Sequence, residues 1–440
     1  MSNNAQENMQ LNDSLSQSLL QVNKLLYRMP PMIGIASKKH HRIDYFQSNT
    51  YVNGEVMVLD SQTGSEFINP KTSYLKMLLV PNGDGSFNTG SVGNVISRIV
   101  VRTRTGKEIS RLENSNLLIK YKQLYECPRN WKRTIGVSQG YNVSESVAVE
   151  TVPVGGKVYI LPLWVIPCFN VDCLLPPQMM EGLRIEITLE SPNVAFGPTA
   201  LGPTVPSTVT EYSVVRPEIH WDSTDLADQF KRKIAEMASK QGLNIVHKEY
   251  FHTIVASSAS GQTQFNFDVK KAASKALRLF IITRDQSQIS DPSADGLASS
   301  QFDYISQQSR IGAIYYPNAP IKVDDITQNG NVESYYQTAY CAGKVDQCWY
   351  SLAVDPEQFT ALGSTTFNQL NSLLMFNYNK SCVSDLQGSQ VNNSRAILVD
   401  LEAAAPAVGP APPAYARRLD VYLEHLRASK YFTSNCEVRD

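Results

Sequence analysis

Six histidines and seven cysteines are the side chains of this 440-residue chain best suited to hold a metal or attack a bond. Cys168 and Cys173 flank a turn, and Cys341 and Cys348 form a second loose pair. Four thiolates can bind zinc. Neither pair has the tight spacing of a zinc knuckle, and the pairs lie far apart in the chain, so the pattern favours buried free thiols. His247 and His252 would point to opposite faces of a strand, which argues against a shared metal. His40, His41, His220 and His425 are scattered. Asp324-Asp325 can serve acid–base work but follows Pro320 in a polar stretch, where a solvated turn is the simpler reading. Residues 82–93 are Gly-rich, yet they lie between β-type runs, and a phosphate cradle needs a helix to follow. The hydrolase, P-loop, zinc-protease, calcium-loop and dinucleotide patterns are absent. The sequence therefore nominates no catalytic residue, no metal ligand and no cofactor.

One basic run, Lys38-Lys39-His40-His41-Arg42, is a candidate for touching nucleic acid or an acidic partner. Lys38, Lys39 and Arg42 are its lasting charges. The alternative is a solvated linker, and the run also reads as a weak nuclear-import signal. The net charge of −1 gives the whole chain no footprint for specific nucleic-acid binding.

The elements that would position these residues are mostly strands. Leu183–Glu190 alternates without a break, which puts Leu183, Ile185, Ile187 and Leu189 on one face. Less strict runs occur at Gly54–Asp60, Tyr74–Val80, Asn94–Arg104, Leu117–Leu124 and Lys157–Ile166. Val95–Arg111 reads as a hairpin turning at Thr105-Gly106. After a Pro-rich loop over 191–210 and a strand at Tyr212–Ile219 comes a helix. Asp222, Ser223 or Thr224 would cap it, Leu226, Phe230, Ile234 and Met237 form its stripe, and Gly242 stops it. The β pattern then restarts, with strands expected at Ile245–Val255, Gln264–Val269, Ala276–Thr283, Arg310–Tyr315, Cys348–Val354, Leu373–Tyr378, Arg395–Glu402 and Leu419–Leu426. Long loops are expected at 284–309 and 403–416, and short helices at 331–342 and 356–371. Short strands between Pro, Gly and Asn clusters indicate all-β sandwiches or barrels.

Ahead of the strands, Leu11, Leu15, Leu19, Val22 and Leu26 fall at helical spacing until Pro30-Pro31. This arm is either a docked or partly disordered helix, or an interaction arm that orders in an assembly. The expected division is an arm at 1–41, a first β domain at 42–220, a linker helix at 221–242 and a second β domain at 243–440. No internal repeat is visible residue by residue. The chain is 42% hydrophobic and only 18% charged, which is consistent with surfaces covered by partners. No window has the apolar length of a membrane span, and the first residues lack the pattern of a secretory signal. Scattered cysteines in odd number then read as reduced thiols, and the sequons at Asn142, Asn379 and Asn392 as unused.

Several segments together resemble the double jelly-roll major capsid proteins of double-stranded DNA viruses, of the Polinton-like virus, adintovirus and virophage type. They are Ser65–Lys76; Asn94–Leu117 with Arg111-Leu112-Glu113-Asn114; Leu161-Pro162-Leu163 through Leu174-Leu175-Pro176 and on to Leu183–Glu190; the linker helix running into Gly242-Leu243-Asn244-Ile245 and Tyr250; Ser309–Pro317; and Ala396–Glu402 with Leu419–Phe432. The likeness spans about residues 42–440 and rests on order and spacing. The arm lies outside it. The resemblance implies two tandem jelly rolls and a homotrimer that forms a pseudo-hexameric capsomer. It also implies contacts with neighbouring capsomers, with penton and minor capsid proteins, and with an inner membrane. The protein would reside in the virion, after assembly in host cytoplasm or nucleus. The competing class is a tandem β-sandwich for carbohydrate binding or attachment, for which the 21 tyrosines would supply stacking platforms.

Overall fold

The alternating run near Leu183 forms a strand whose apolar residues sit in a sealed core, and this pattern recurs along the chain. The computed structural model describes residues 36–61, 64–87, 90–141, 151–199, 205–255, 262–300, 304–323, 332–345, 352–354, 359, 371–379, 388–392, 395–403, 416–432 and 436–439. The arm residues Leu11, Leu15, Leu19, Val22 and Leu26 lie outside them. So do Asp324, Asp325, Asn142, Cys348 and most of the 356–371 and 403–416 segments.

The first half holds β1 (Ala36–Tyr45), β2 (Thr50–Val52), β3 (Val56–Asp60), β4 (Phe67–Pro81), β5 (Gly85–Ser86), β6 (Ile96–Arg102), β7 (Glu108–Glu113), β8 (Thr151–Val152), β9 (Lys157–Pro162), β10 (Arg184–Leu189) and β11 (Tyr212–Leu226). One sheet runs β1-β11-β4-β9, with β2 also on β11, and faces a second that runs β3-β10-β6-β7. Between them lie Leu75, Met77 and Leu79 of β4, Ile185 and Ile187 of β10, Ile99 and Val101 of β6, and Trp221 of β11, all buried. The period of two explains this: each strand gives one face to the core and the other outward.

The second half holds β12 (Leu243–Val255), β13 (Gln264–Val269), β14 (Ala273–Asp285), β15 (Tyr304–Ile311), β16 (Ile314–Lys322), β17 (Leu374–Asn377), β18 (Ser389–Val391), β19 (Ile397–Ala403), β20 (Arg417–Tyr431) and β21 (Cys436–Arg439). Its sheets run β12-β20-β14-β17 and β13-β19-β15-β16, with β18 on β14 and β21 on β20. Strand for strand this is the order of the first half. All these pairings are antiparallel, and the crossing between sheets is that of a jelly roll. The duplication invisible in the residues is therefore visible in the topology. Each half also places a helix after the edge strand of its second sheet: α1 (Ser115–Glu126) after β7 and, in the second half, α3 (Val332–Cys341) after β16; α2 (Asp228–Lys240) joins the halves.

The expectations change at several points. The loop expected at 284–309 ends early, because β15 begins at Tyr304. Leu117–Leu124 is helix, not strand: every residue of α1 except Glu126 is buried, so no polar stripe reveals its period. The linker helix starts at Asp228, and Asp222, Ser223 and Thr224 belong to β11, where they pair with β1 and β4. Its stop is as expected, with Gly242 at φ +72° and its N–H bonded to the Met237 carbonyl at 3.0 Å. Arg310–Tyr315 is the end of one strand and the start of another, because Gly312 (φ +61°) turns the chain between β15 and β16. The boundaries at 41/42 and 220/221 fall inside strands: β1 already begins at Ala36, paired with Leu226.

Candidate functional site

The basic run is strand, because β1 continues the pairing of β11 to its end. Lys38 pairs in register with Asp225, and Lys39 Nζ sits 3.1 Å from Asp222. Arg42 turns towards Asp44 (2.9 Å) and Ser61 (2.7 Å). Buried Asp44 also accepts from Trp221 Nε1 at 2.9 Å, so Arg42 balances a carboxylate under the sheet. On the outer face, His41 Nε2 lies 2.7 Å from His220 Nδ1, and His220 Nε2 lies 2.8 Å from Glu218.

The densest polar chemistry is where the two halves meet. α1 of the first half lies against the outward face of the six-stranded sheet of the second. Asn114, at the N-cap of α1 with φ 45°, makes no side-chain cap; its amide donates to Asp420 at 3.3 Å instead. Tyr422 Oη donates to the Asn114 carbonyl at 2.9 Å. Asp420 further receives two bonds from Arg284 (2.9 and 2.7 Å), two from Arg418 (3.3 and 3.1 Å) and a contact from His252 (3.0 Å). Burial alone would raise the Asp420 carboxyl, but the His252 hydrogen bond and the Arg284 and Arg418 charges hold it far below the usual carboxylate range.

A second cluster follows the same logic. Arg278 donates to Glu424 of its own sheet (3.0 Å) and to Glu126 of α1 (2.8 Å). Burial opposes the charge on Glu424, yet Arg278 and Lys248 keep its carboxyl depressed. A third contact is Lys120 of α1, which reaches Asp295 and the Leu297 carbonyl, both at 3.0 Å. Burial pushes the Lys120 ammonium down, and Asp295 only partly restores it. At the strand edges, Ser110 Oγ of β7 donates to Glu249 of β12 at 3.2 Å. Charges this deeply buried are retained only when paired, so they fix how the halves sit together.

Burial pushes the thiols of Cys127 and Cys341 up to about 12 and Cys168 well above its ordinary value, which makes them unreactive. Cys168 is buried and Cys173 exposed. Among the described residues, no group of three or more His, Cys, Asp or Glu side chains is set to hold a metal, and no helix is long and apolar enough to cross a membrane. A groove of about 480 Å³ gathers Arg102, Arg104 and Arg184, but Glu186, Glu181 and Asp60 answer them. The sequence singles out His252 only as a metal candidate and gives Lys120, Glu126, Arg278, Arg284, Asp295, Asp420 and Glu424 no role at this junction. The only signal was charge inside apolar runs, as at Lys120 and Lys122 between Ile119 and Leu124.

No protein-family model matches the chain, and no curated protein matches it by sequence. Solved structures do match its fold. The capsid of the virus PBCV-1 matches at TM-score 0.59 and 12% identity, covering 94% of this chain and 98% of that one. The Sputnik virophage structure matches at TM-score 0.58 and 8% identity, covering 94% and 90%. The mavirus major capsid protein matches at TM-score 0.52 and 10% identity, covering 94% and 92%. The chain has the double jelly-roll fold of these capsid proteins.

Proposed function

We propose that this chain is the main building block of an icosahedral viral capsid and works by assembly, not catalysis. The observation that carries this reading is the pair of jelly rolls with one strand order, joined by the ion pairs Lys120–Asp295 and Glu126–Arg278. A chain so built fills two adjacent corners of a hexagon, and three chains fill six, a closed arrangement from identical subunits. Burial between chains supplies the driving force, with an obligate-type interface inside the trimer and smaller contacts to neighbouring capsomers, penton and minor capsid proteins. The units of this reading are the expected arm at 1–41, rolls at 42–220 and 243–440 and linker at 221–242, with the first roll reaching back to Ala36 through β1 and on to Leu226 through β11. The arm, with Leu11, Leu15, Leu19, Val22 and Leu26, lies beneath the shell against neighbours, minor proteins or an inner membrane, with Lys38 and Lys39 at its root. Assembly takes place in host cytoplasm or nucleus and ends in the virion.

Light scattering on the purified protein tests the reading, with a mass three times that of the chain expected and a hexagonal outline in negative stain. A monomer under every assembly condition overturns it. Deleting residues 1–31 is expected to abolish particles while leaving trimers; unchanged particle yield would remove the arm from assembly.

A further inference from the structure

The two rolls repeat a surface as well as a strand order. In the second roll, Tyr250, Glu424 and Arg278 form one row across β12, β20 and β14. Tyr250 Oη donates to Glu424 at 3.2 Å, and Arg278 donates at 3.0 Å. In the first roll, the matching strands β1, β11 and β4 carry Tyr45, Glu218 and Lys76 in one row, with Lys76 donating to Glu218 at 2.6 Å.

The surroundings of the two faces differ. α1 covers the second-roll row: the Lys122 ammonium stands 5.0 Å above the Tyr250 ring, and Glu126 accepts from Arg278. Among the described residues, nothing equivalent covers the first-roll row. Tyr45 is 67% exposed, and the Lys76 side chain 41%.

The helices show the complementary difference. α1 is buried almost throughout, whereas α3, which stands at the same point of the second roll, shows one bare face. Val332, Tyr336 and Tyr340 follow each other at four-residue spacing and are 59%, 53% and 49% exposed. On the strand before that helix, β16 also exposes Ile314 and Tyr315, whereas its counterpart β7 is held against β12. A bare helix face and a bare Tyr–Glu–cation row are the two halves of a contact that this chain already makes once internally.

We infer that α3 and β16 of one copy dock on the outer face of β1, β11 and β4 of a second copy, with Val332, Tyr336 and Tyr340 over the row Tyr45–Glu218–Lys76. The inference rests on the capsomer reading and names the surfaces that build it. Its occupant is a second copy because the surface continues the pattern of the roll-to-roll contact within the chain. The charges agree: the one charged side chain within α3 is the exposed Glu333, and the sheet face offers Lys76. The contact is head-to-tail, and it closes when every roll has received the helix of the roll before it.

Two variants test it by light scattering: Tyr336→Lys with Tyr340→Lys on the helix, and Tyr45→Lys on the sheet. Each is expected to cut the mass threefold, to the monomer, with an unchanged far-ultraviolet spectrum because the sites are exposed. Mixing the two variants restores one intact contact and is expected to give dimers that grow no further. Hydroxyl-radical footprinting of the unaltered trimer checks the same surfaces without substitution, and Tyr45, Tyr336 and Tyr340 are expected to be protected. If the unaltered protein is trimeric while both variants stay trimeric, or these tyrosines label fully in the trimer, the docking surfaces are wrong and the capsomer reading stands. If the unaltered protein never leaves the monomer, the capsomer reading itself fails, and the inference with it.

Discussion

Arg284 and Asp420 are joined by two hydrogen bonds, at 2.9 and 2.7 Å, and both side chains are sealed from solvent. The same carboxylate receives the Asn114 amide of the other half. One buried acid thus ties the second sheet to the first roll.

Replacing Arg284 by Met removes the strongest partner and leaves that acid desolvated. Breaking a buried pair from one side costs about 3–5 kcal/mol. We expect Arg284→Met to lower the urea midpoint accordingly, and Arg284→Lys to recover only part, because an ammonium cannot make the paired bonds. A midpoint within experimental error of the unaltered protein would show that Arg418 and His252 suffice.

The depressed carboxyls set the acid limit of the fold. Asp420 and Glu424 both have folded-state pKa values below their unfolded ones. Such groups contribute stability that is whole above the unfolded value, near 4, and lost as pH falls towards the folded value. Stability is therefore expected to fall between about pH 4 and pH 2. Asp420→Asn should be less stable at pH 6 and show a shallower decline below pH 4. Equal slopes for the variant and the parent, in urea unfolding at several pH values, would contradict this account.

What the sequence disclosed and what it hid follow from the same physics. Ile185 and Ile187 announce their strand because one face meets core and the other meets solvent or polar neighbours. α1 does not announce itself. Its polar residues Lys120, Lys122 and Gln123 are buried by partners far along the chain, so hydrophobic period and burial no longer coincide. β11 outruns its expected end for a related reason: Asp222 and Thr224 look like a helix cap but are held as strand by Lys39, Thr72 and the β1 register. The junction rests on pairs such as Asp295 with Lys120, distant in sequence, and no local pattern encodes them.

Lys120 and Asp295 form a pair across the halves that can be separated energetically. Lys120 has no exposed side-chain surface, and its ammonium is disfavoured by burial. Lys120→Met alone strands Asp295 and is expected to cost about 3 kcal/mol or more. Lys120→Met with Asp295→Asn removes both charges and keeps an acceptor for the Leu297 N–H, now at 3.0 Å from Asp295. The double variant is expected to be more stable than the single one by at least about 1 kcal/mol, a coupling that a double-mutant cycle reads directly. Additive costs would mean that the two charges act independently.

Arg42 and Lys39 belong to one basic run, yet their surroundings assign them different work. Lys39 is largely exposed, and its contact with Asp222 is a surface pair of the kind worth at most about 1 kcal/mol. Arg42 is mostly covered and faces Asp44, whose other partners are Ser61 and the Trp221 indole. Lys39→Gln is therefore expected to leave the melting temperature unchanged, so any effect it has on particle assembly or nucleic-acid content reports a surface role. Arg42→Met leaves Asp44 buried without its cation and is expected to lower stability by about 3 kcal/mol. It should also enhance quenching of Trp221 fluorescence by acrylamide, because the cover over the indole loosens. An Arg42→Met protein that melts like the parent but packages its particles differently would place Arg42 in the functional patch and not under the sheet.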